Sequence, residues 1–114
     1  MGAKSKRKGK TGELEAAKEL ARLFGCQARR GQQFSGSPDS PDVVCSIPGL
    51  HFEVKRAERL SLYAALDQAI DDSGEAAPVV LHRASRQPWV AIVRLEDLPA
   101  IVERLYLQLI ARHG

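Results

Sequence analysis

Apolar residues recur at helical spacing between Gly12 and Phe24. Leu14, Ala17, Ala21 and Phe24 share one face, Leu20 widens it, and Gly25 stands where a helix would end. Glu13, Glu15 and Glu19 take early or outer positions, where the helix dipole favours acids at the start. The period then changes. Cys26 to Arg30 reads as an edge strand, and Gly31 to Pro41 as a loop of Gly, Ser, Pro and Gln before Asp42. Val43-Val44 and Phe52 to Val54 form two short apolar strands, joined through Ile47-Pro48-Gly49-Leu50. There Pro presets a turn and Gly tolerates a positive φ. A second helix, from the candidate N-cap Ser61 to Ser73, would bury Leu62, Ala65, Leu66, Ala69 and Ile70 before Gly74 closes it. Strands over Pro78–His82 and Trp89–Val93 follow, linked by a basic turn. A last helix runs from about Asp97 to Arg112 with Pro99 in its first turn. Its apolar positions Ile101, Val102, Leu105, Tyr106, Leu107, Leu109 and Ile110 cover an arc that predicts burial on two sides. The order α-β-β-β-α-β-β-α predicts an α/β fold, a central mixed five-stranded sheet flanked by helices.

The first strand pair carries the candidate chemistry. A hairpin centred on Pro48-Gly49 sets Ile47 against Leu50, Val44 against Glu53 and Asp42 against Lys55. Residues two apart on a strand share a face, so Asp42, Glu53 and Lys55 converge on one side while Phe52 and Val54 point to the other. Two carboxylates beside one ammonium suit a hard divalent cation and the water it activates. Either piece alone is ordinary, since strands often carry Glu-x-Lys on a wet face and Pro-Asp is common turn chemistry. This pair is flanked by apolar residues, however, and charges in such a setting need partners or a metal. His51 shares the face of Glu53 by alternation, so a place beside the site is open to it, but a solvated surface histidine is the leading expectation. His82 and Arg83 end a strand, where a DNA contact and a structural role are equally open. Trp89 and Tyr106 read as core or interface residues, and Tyr63 as a candidate dimer contact.

With 114 residues the chain is expected to be one domain with a modest core. No apolar run approaches a membrane span, and the basic N-terminus lacks the apolar stretch of a secretion signal. Cys26 and Cys45 have no Cys or His companions at metal-ligand spacing, so they read as buried core thiols of an intracellular protein. The net charge of +3 is unevenly spread. Residues 1–10 hold Lys4, Lys6, Arg7, Lys8 and Lys10 without an acid, leaving 12 basic against 14 acidic side chains elsewhere. Residues 1–10 are therefore expected to be a flexible basic arm suited to a polyanion such as nucleic acid, or else a solubilising tail, and 11–114 a single domain. An acidic body makes sense beside phosphate if some of its acids hold metal.

Taken in order, these residues resemble the PD-(D/E)xK nuclease superfamily. More narrowly, they resemble the archaeal-type Holliday-junction resolvases and their small phage-encoded relatives. Lys8-Gly9 leads to a helical Glu13, and Arg29-Arg30, Ser35-Gly36, Pro41-Asp42, Glu53-Val54-Lys55 and the helical Gln68 follow. The motifs span residues 8–70; His82-Arg83 and Trp89 look more like the phage members. The resemblance implies a restriction-endonuclease-like core and a magnesium-dependent endonuclease that resolves Holliday junctions by paired symmetric phosphodiester hydrolysis, with Mn²⁺ able to substitute. Asp42 and Glu53 would bind the metal with a backbone carbonyl near Val54, and Glu13 would reach it from the helix, with Glu15 as its rival. Lys55 would orient the attacking water or stabilise the phosphorane-like charge, and Gln68 would hold Lys55 or the water in place. Asp39, in a second Pro-Asp pair, rivals Asp42. Lys6, Arg7, Lys8, Lys10, Arg29, Arg30, Ser35, Arg56 and Arg83 would contact DNA. The implied partners are four-way DNA junctions and a second copy in a homodimer, with no organic cofactor and no membrane. The implied location is the cytoplasm, the host's if phage-encoded. Superfamily chemistry alone leaves open a nuclease for duplex, flapped or mismatched DNA, and a non-catalytic DNA-binding subunit.

Overall fold

Small residues let the first helix lie close on the sheet. In the computed structural model, which describes residues 2–31 and 41–113 and side chains over 9–31 and 41–111, Ala16, Ala17 and Leu20 are buried on the inner face of α1 (Gly2–Phe24). The chain continues through β1 (Ala28–Arg30), β2 (Val43–Cys45), β3 (Leu50–Arg56), α2 (Leu62–Ser73), β4 (Ala77–Arg83), β5 (Val90–Ile92), a 3₁₀ turn (Leu95–Asp97) and α3 (Leu98–His113). The strands form one sheet in the order β1-β2-β3-β4-β5. All neighbours are antiparallel except β3 and β4, which run parallel because α2 crosses over between them. The sheet is mixed, with β3 at its centre.

Two cores result from the alternation of side chains across the sheet. On one side, α1 packs on Val43, Phe52, Val79 and Leu81, joined by Cys26, Ile47 and, from α3, Ile101. On the other, Ala65, Leu66 and Ala69 of α2 pack on Val80, with Ile92 beside them. Cys26 is buried and Cys45 half-buried, and both are free thiols.

Three expectations are revised. The first helix begins at Gly2, ten residues before the expected start, so the basic stretch continues its axis. The last helix is buried along one seam, not two: Ile101 is 5% exposed, but Val102, Tyr106, Leu107 and Ile110 are 57%, 62%, 52% and 48% exposed. The cause is competition for the sheet, since α1 lies along β1, β2 and β3 on the same side. Gln108 ties α3 to the end of α1, its Nε2 donating to the Phe24 carbonyl at 3.2 Å. The hairpin register is the third. Val43 pairs with Phe52, two residues away from the expected ladder, because Ile47 leaves the strand to bury its side chain in the core. The connection is thus four residues, with Gly49 at φ 80° as the turn requires. An even shift keeps every side chain on its expected face, but it sets Asp42 across from Glu53 instead of Lys55.

Candidate active site

Asp42 is positioned by backbone on both sides. Its carbonyl accepts the Gly31 N–H at 2.8 Å, and its own N–H donates to the Phe52 carbonyl at 2.9 Å. A Cβ on Gly31 would lie 2.1 Å from the Pro41 carbonyl oxygen, so only glycine permits this approach. The Asp42 carboxylate then folds over β3, where Oδ2 accepts the Val54 N–H at 2.8 Å. Glu53 stands opposite on the central strand. Asp42 and Glu53 are 8% and 4% exposed, values usual for core leucines rather than acids.

Electrostatics follow from that crowding. Burial pushes the Glu53 carboxyl above its ordinary range; the charge and hydrogen bond of Asp42 add to the rise, and a hydrogen bond from His51 opposes it. Glu13 is also raised, chiefly by burial, against the pull of Arg30 and with a further push from Asp42. Three carboxylates therefore sense one another or a common neighbour. Two residues past Glu53 on the same face, Lys55 donates from Nζ to Gln68 Oε1 of α2 at 2.9 Å.

The structure separates the two helix glutamates. Glu13 faces the β1–β2 side, pairs with Arg30 and lies within the field of Asp42. Glu15 lies between Arg83 Nη1 at 3.0 Å and Arg56 Nε at 3.6 Å, away from the acid pair. Gly12 allows this, since a Cβ there would meet Arg56 Cβ at 2.6 Å. Among the expected DNA contacts, Arg30, Arg56 and Arg83 are thus engaged with helix acids. Arg29 and Lys10 are exposed and have no ion-pair partner among the described residues. The side chains of Lys6, Arg7 and Lys8, and the residues Ser35 and Asp39, lie outside the described residues. His82 takes a structural position, its Nε2–H donating to the Ala57 carbonyl at 2.8 Å.

One residue of the site was misjudged from sequence. His51, expected in solvent, is 4% exposed, with Nε2 2.8 Å from Glu53 Oε1. Strand alternation put it on the correct face. What alternation lacked was the parallel neighbour β4, whose Pro78 and Val80 pair with His51 and Glu53 and close that side with apolar surface.

Whether these residues suit a metal is decided by their donors. Among the described residues no three His, Cys, Asp or Glu side chains form a complete ligand cluster. The Asp42–Glu53 pair is instead the sparse all-oxygen set that Mg²⁺ takes while keeping several waters. Burial beside Asp42 raises the proton affinity of the Glu53 carboxyl, and a divalent cation would offset that cost of ionisation. The donor set fits.

No protein-family model matches the chain, and no curated protein matches it. Among solved structures it is similar to Hjc, a Holliday junction resolvase from the archaeal hyperthermophile Archaeoglobus fulgidus. The TM-score is 0.55 at 25% sequence identity, over 75% of this chain and 72% of that chain. The chain has a restriction-endonuclease-like α/β fold and resembles the PD-(D/E)xK resolvases, which supports a nuclease at the level of fold. Among the described residues no helix is long and apolar enough to cross a membrane.

Proposed function

We propose that the chain is a divalent-metal-dependent endonuclease that resolves four-way DNA junctions by paired, symmetric phosphodiester cuts. One observation carries this: two carboxylates face each other across β2 and β3, with Lys55 on the same face and held by Gln68, in a fold similar to that of a resolvase. Asp42 and Glu53, with a backbone carbonyl near Val54, would hold Mg²⁺ or Mn²⁺, and Glu13 would reach the site from α1. The cation would supply Lewis-acid stabilisation of the phosphate charge and a more acidic water. Lys55 orients that water or meets the developing negative charge, and Gln68 fixes the ammonium. Arg29, Lys10 and the basic start of α1 provide cations for the phosphate backbone.

Two symmetric cuts call for two sites related by a two-fold axis, so the proposed assembly is a homodimer. The exposed apolar residues Val102, Tyr106 and Ile110, four apart on α3, offer a surface for it.

A junction and a duplex of matching sequence, each with Mg²⁺ and with EDTA, test the proposal against Asp42→Asn. Metal-dependent paired nicks in the junction alone, lost in the variant, are expected. Equal cutting of both substrates would reduce the protein to a general nuclease. Tight junction binding by both proteins without cutting would leave a DNA-binding module.

A further inference from the structure

Among the described residues, His51 is the buried polar side chain beside the acid pair that the proposed chemistry does not use. Its side chain and that of Glu53 are each 5% exposed, and their contact is 2.8 Å. With Glu53 ionised, as metal binding requires, its carboxylate can only accept, and His51 then carries the proton on Nε2. An imidazole at such depth must find a partner to offset its lost hydration, and its nearest cross-strand neighbour on β4 is Pro78. Glu53 is likewise flanked by Val80, fully buried and unable to hydrogen-bond. Among the described residues, His51 is therefore a side-chain donor to Glu53 Oε1.

We infer that His51 is a positioning residue for the metal site: by binding Oε1 it fixes the rotation of the Glu53 carboxylate and assigns Oε2 to the cation. The inference rests on the metal-binding role proposed for Asp42 and Glu53. Groups that hydrogen-bond a metal ligand without touching the ion set its orientation, and their loss typically weakens binding about 10–100-fold. Glutamine and asparagine separate this role from simple filling of space. The amide nitrogen of glutamine falls near Nε2 of histidine and can still reach Oε1. That of asparagine falls near Nδ1 and cannot.

The test is Mn²⁺ binding by isothermal titration, with the electron paramagnetic resonance signal of free Mn²⁺ as a second readout and thermal melting to report the fold. His51→Leu and His51→Asn are expected to bind about 10–100-fold more weakly than the parent, while His51→Gln stays within about threefold. Should the leucine variant misfold, the contrast between asparagine and glutamine still decides. Equal affinity across all folded variants overturns the positioning role, as does a glutamine variant as weak as asparagine. A parent protein with no Mn²⁺ site that Asp42→Asn removes overturns the metal assignment itself, and the role of His51 with it.

Discussion

The sheet face beneath α2 has two halves, equally dry and opposite in chemistry. Over β4 and β5, Val80 is fully buried against Ala65, Leu66 and Ala69, with Ile92 completing an ordinary apolar core. Over β2 and β3, the same face carries His51, Glu53 and Asp42 at 4%, 4% and 8% exposure, with Lys55 at the edge. The two halves are neighbours, since Glu53 and Val80 pair across the parallel strands. Nothing in the sheet's geometry requires one half to be charged. Burying acids raises free energy unless a counter-charge arrives. Burial, which pushes the Glu53 carboxyl above its ordinary range, therefore works against stability, and the apolar half supplies the rigid support that holds that carboxyl in place.

Moving charge from one half to the other breaks this comparison most severely. Val80→Asp would bury an acid among alanines and leucines, with no partner and no role. The loss of stability should be at least about 3 kcal/mol, the range for an uncompensated buried charge, or the variant will be insoluble. Chemical denaturation measures it. A loss under about 1 kcal/mol would mean that the apolar half is as permissive as the polar one, and the contrast would fail.

Removing charge from the polar half should instead spare the fold and damage chemistry. Lys55→Ala should lower junction cleavage by about 10²–10³-fold, the usual effect of deleting one donor aimed at developing charge, with little change in melting temperature. Gln68→Ala removes only the acceptor that steadies Lys55, so a smaller loss of about tenfold is expected, near the worth of one hydrogen bond to a charged group. Cleavage rates at saturating Mg²⁺ would rank them. A Gln68→Ala variant as active as the parent would detach Gln68 from the site.

How much of this was legible follows from what each signal encodes. Strand alternation reports faces, and it put Asp42, Glu53, Lys55 and His51 together correctly even though the register was two residues out. The register depended on Ile47, whose burial in the core cannot be read from a Pro-Gly turn. Glu13 and Glu15 point nearly opposite ways, about 200° apart, so choosing between them needed a helix register that the sequence only implied. Only the packing of Gly12 against Arg56 fixes which one faces Asp42. The depth of His51 needed the long-range pairing of β3 with β4. The last helix shows the converse limit: a wide apolar arc states what could be buried, while the space left by α1 decides what is.

The mildest test changes one atom of the polar half. Glu53→Gln keeps the shape of the side chain and an oxygen that can accept from His51, but removes the charge. The folded protein holds the Glu53 carboxyl above its ordinary range, mainly through burial. The native state therefore binds a proton more tightly than the unfolded chain does. Stability gained from that proton is fully present below the unfolded pKa and is lost as pH rises through the raised folded one. Above that window the parent carries the whole cost of a buried charge and the variant carries none. Without divalent cations at neutral pH, Glu53→Gln should melt a few degrees higher than the parent, and the difference should vanish as pH falls below the carboxylate range. Mg²⁺ should narrow the gap by stabilising the parent alone, since the charge that weakens the apo fold is the one proposed to bind the cation. A variant less stable than the parent at neutral pH, with no response to Mg²⁺ in either protein, would mean that Glu53 is held by internal partners and that the two halves of the face differ in chemistry but not in purpose.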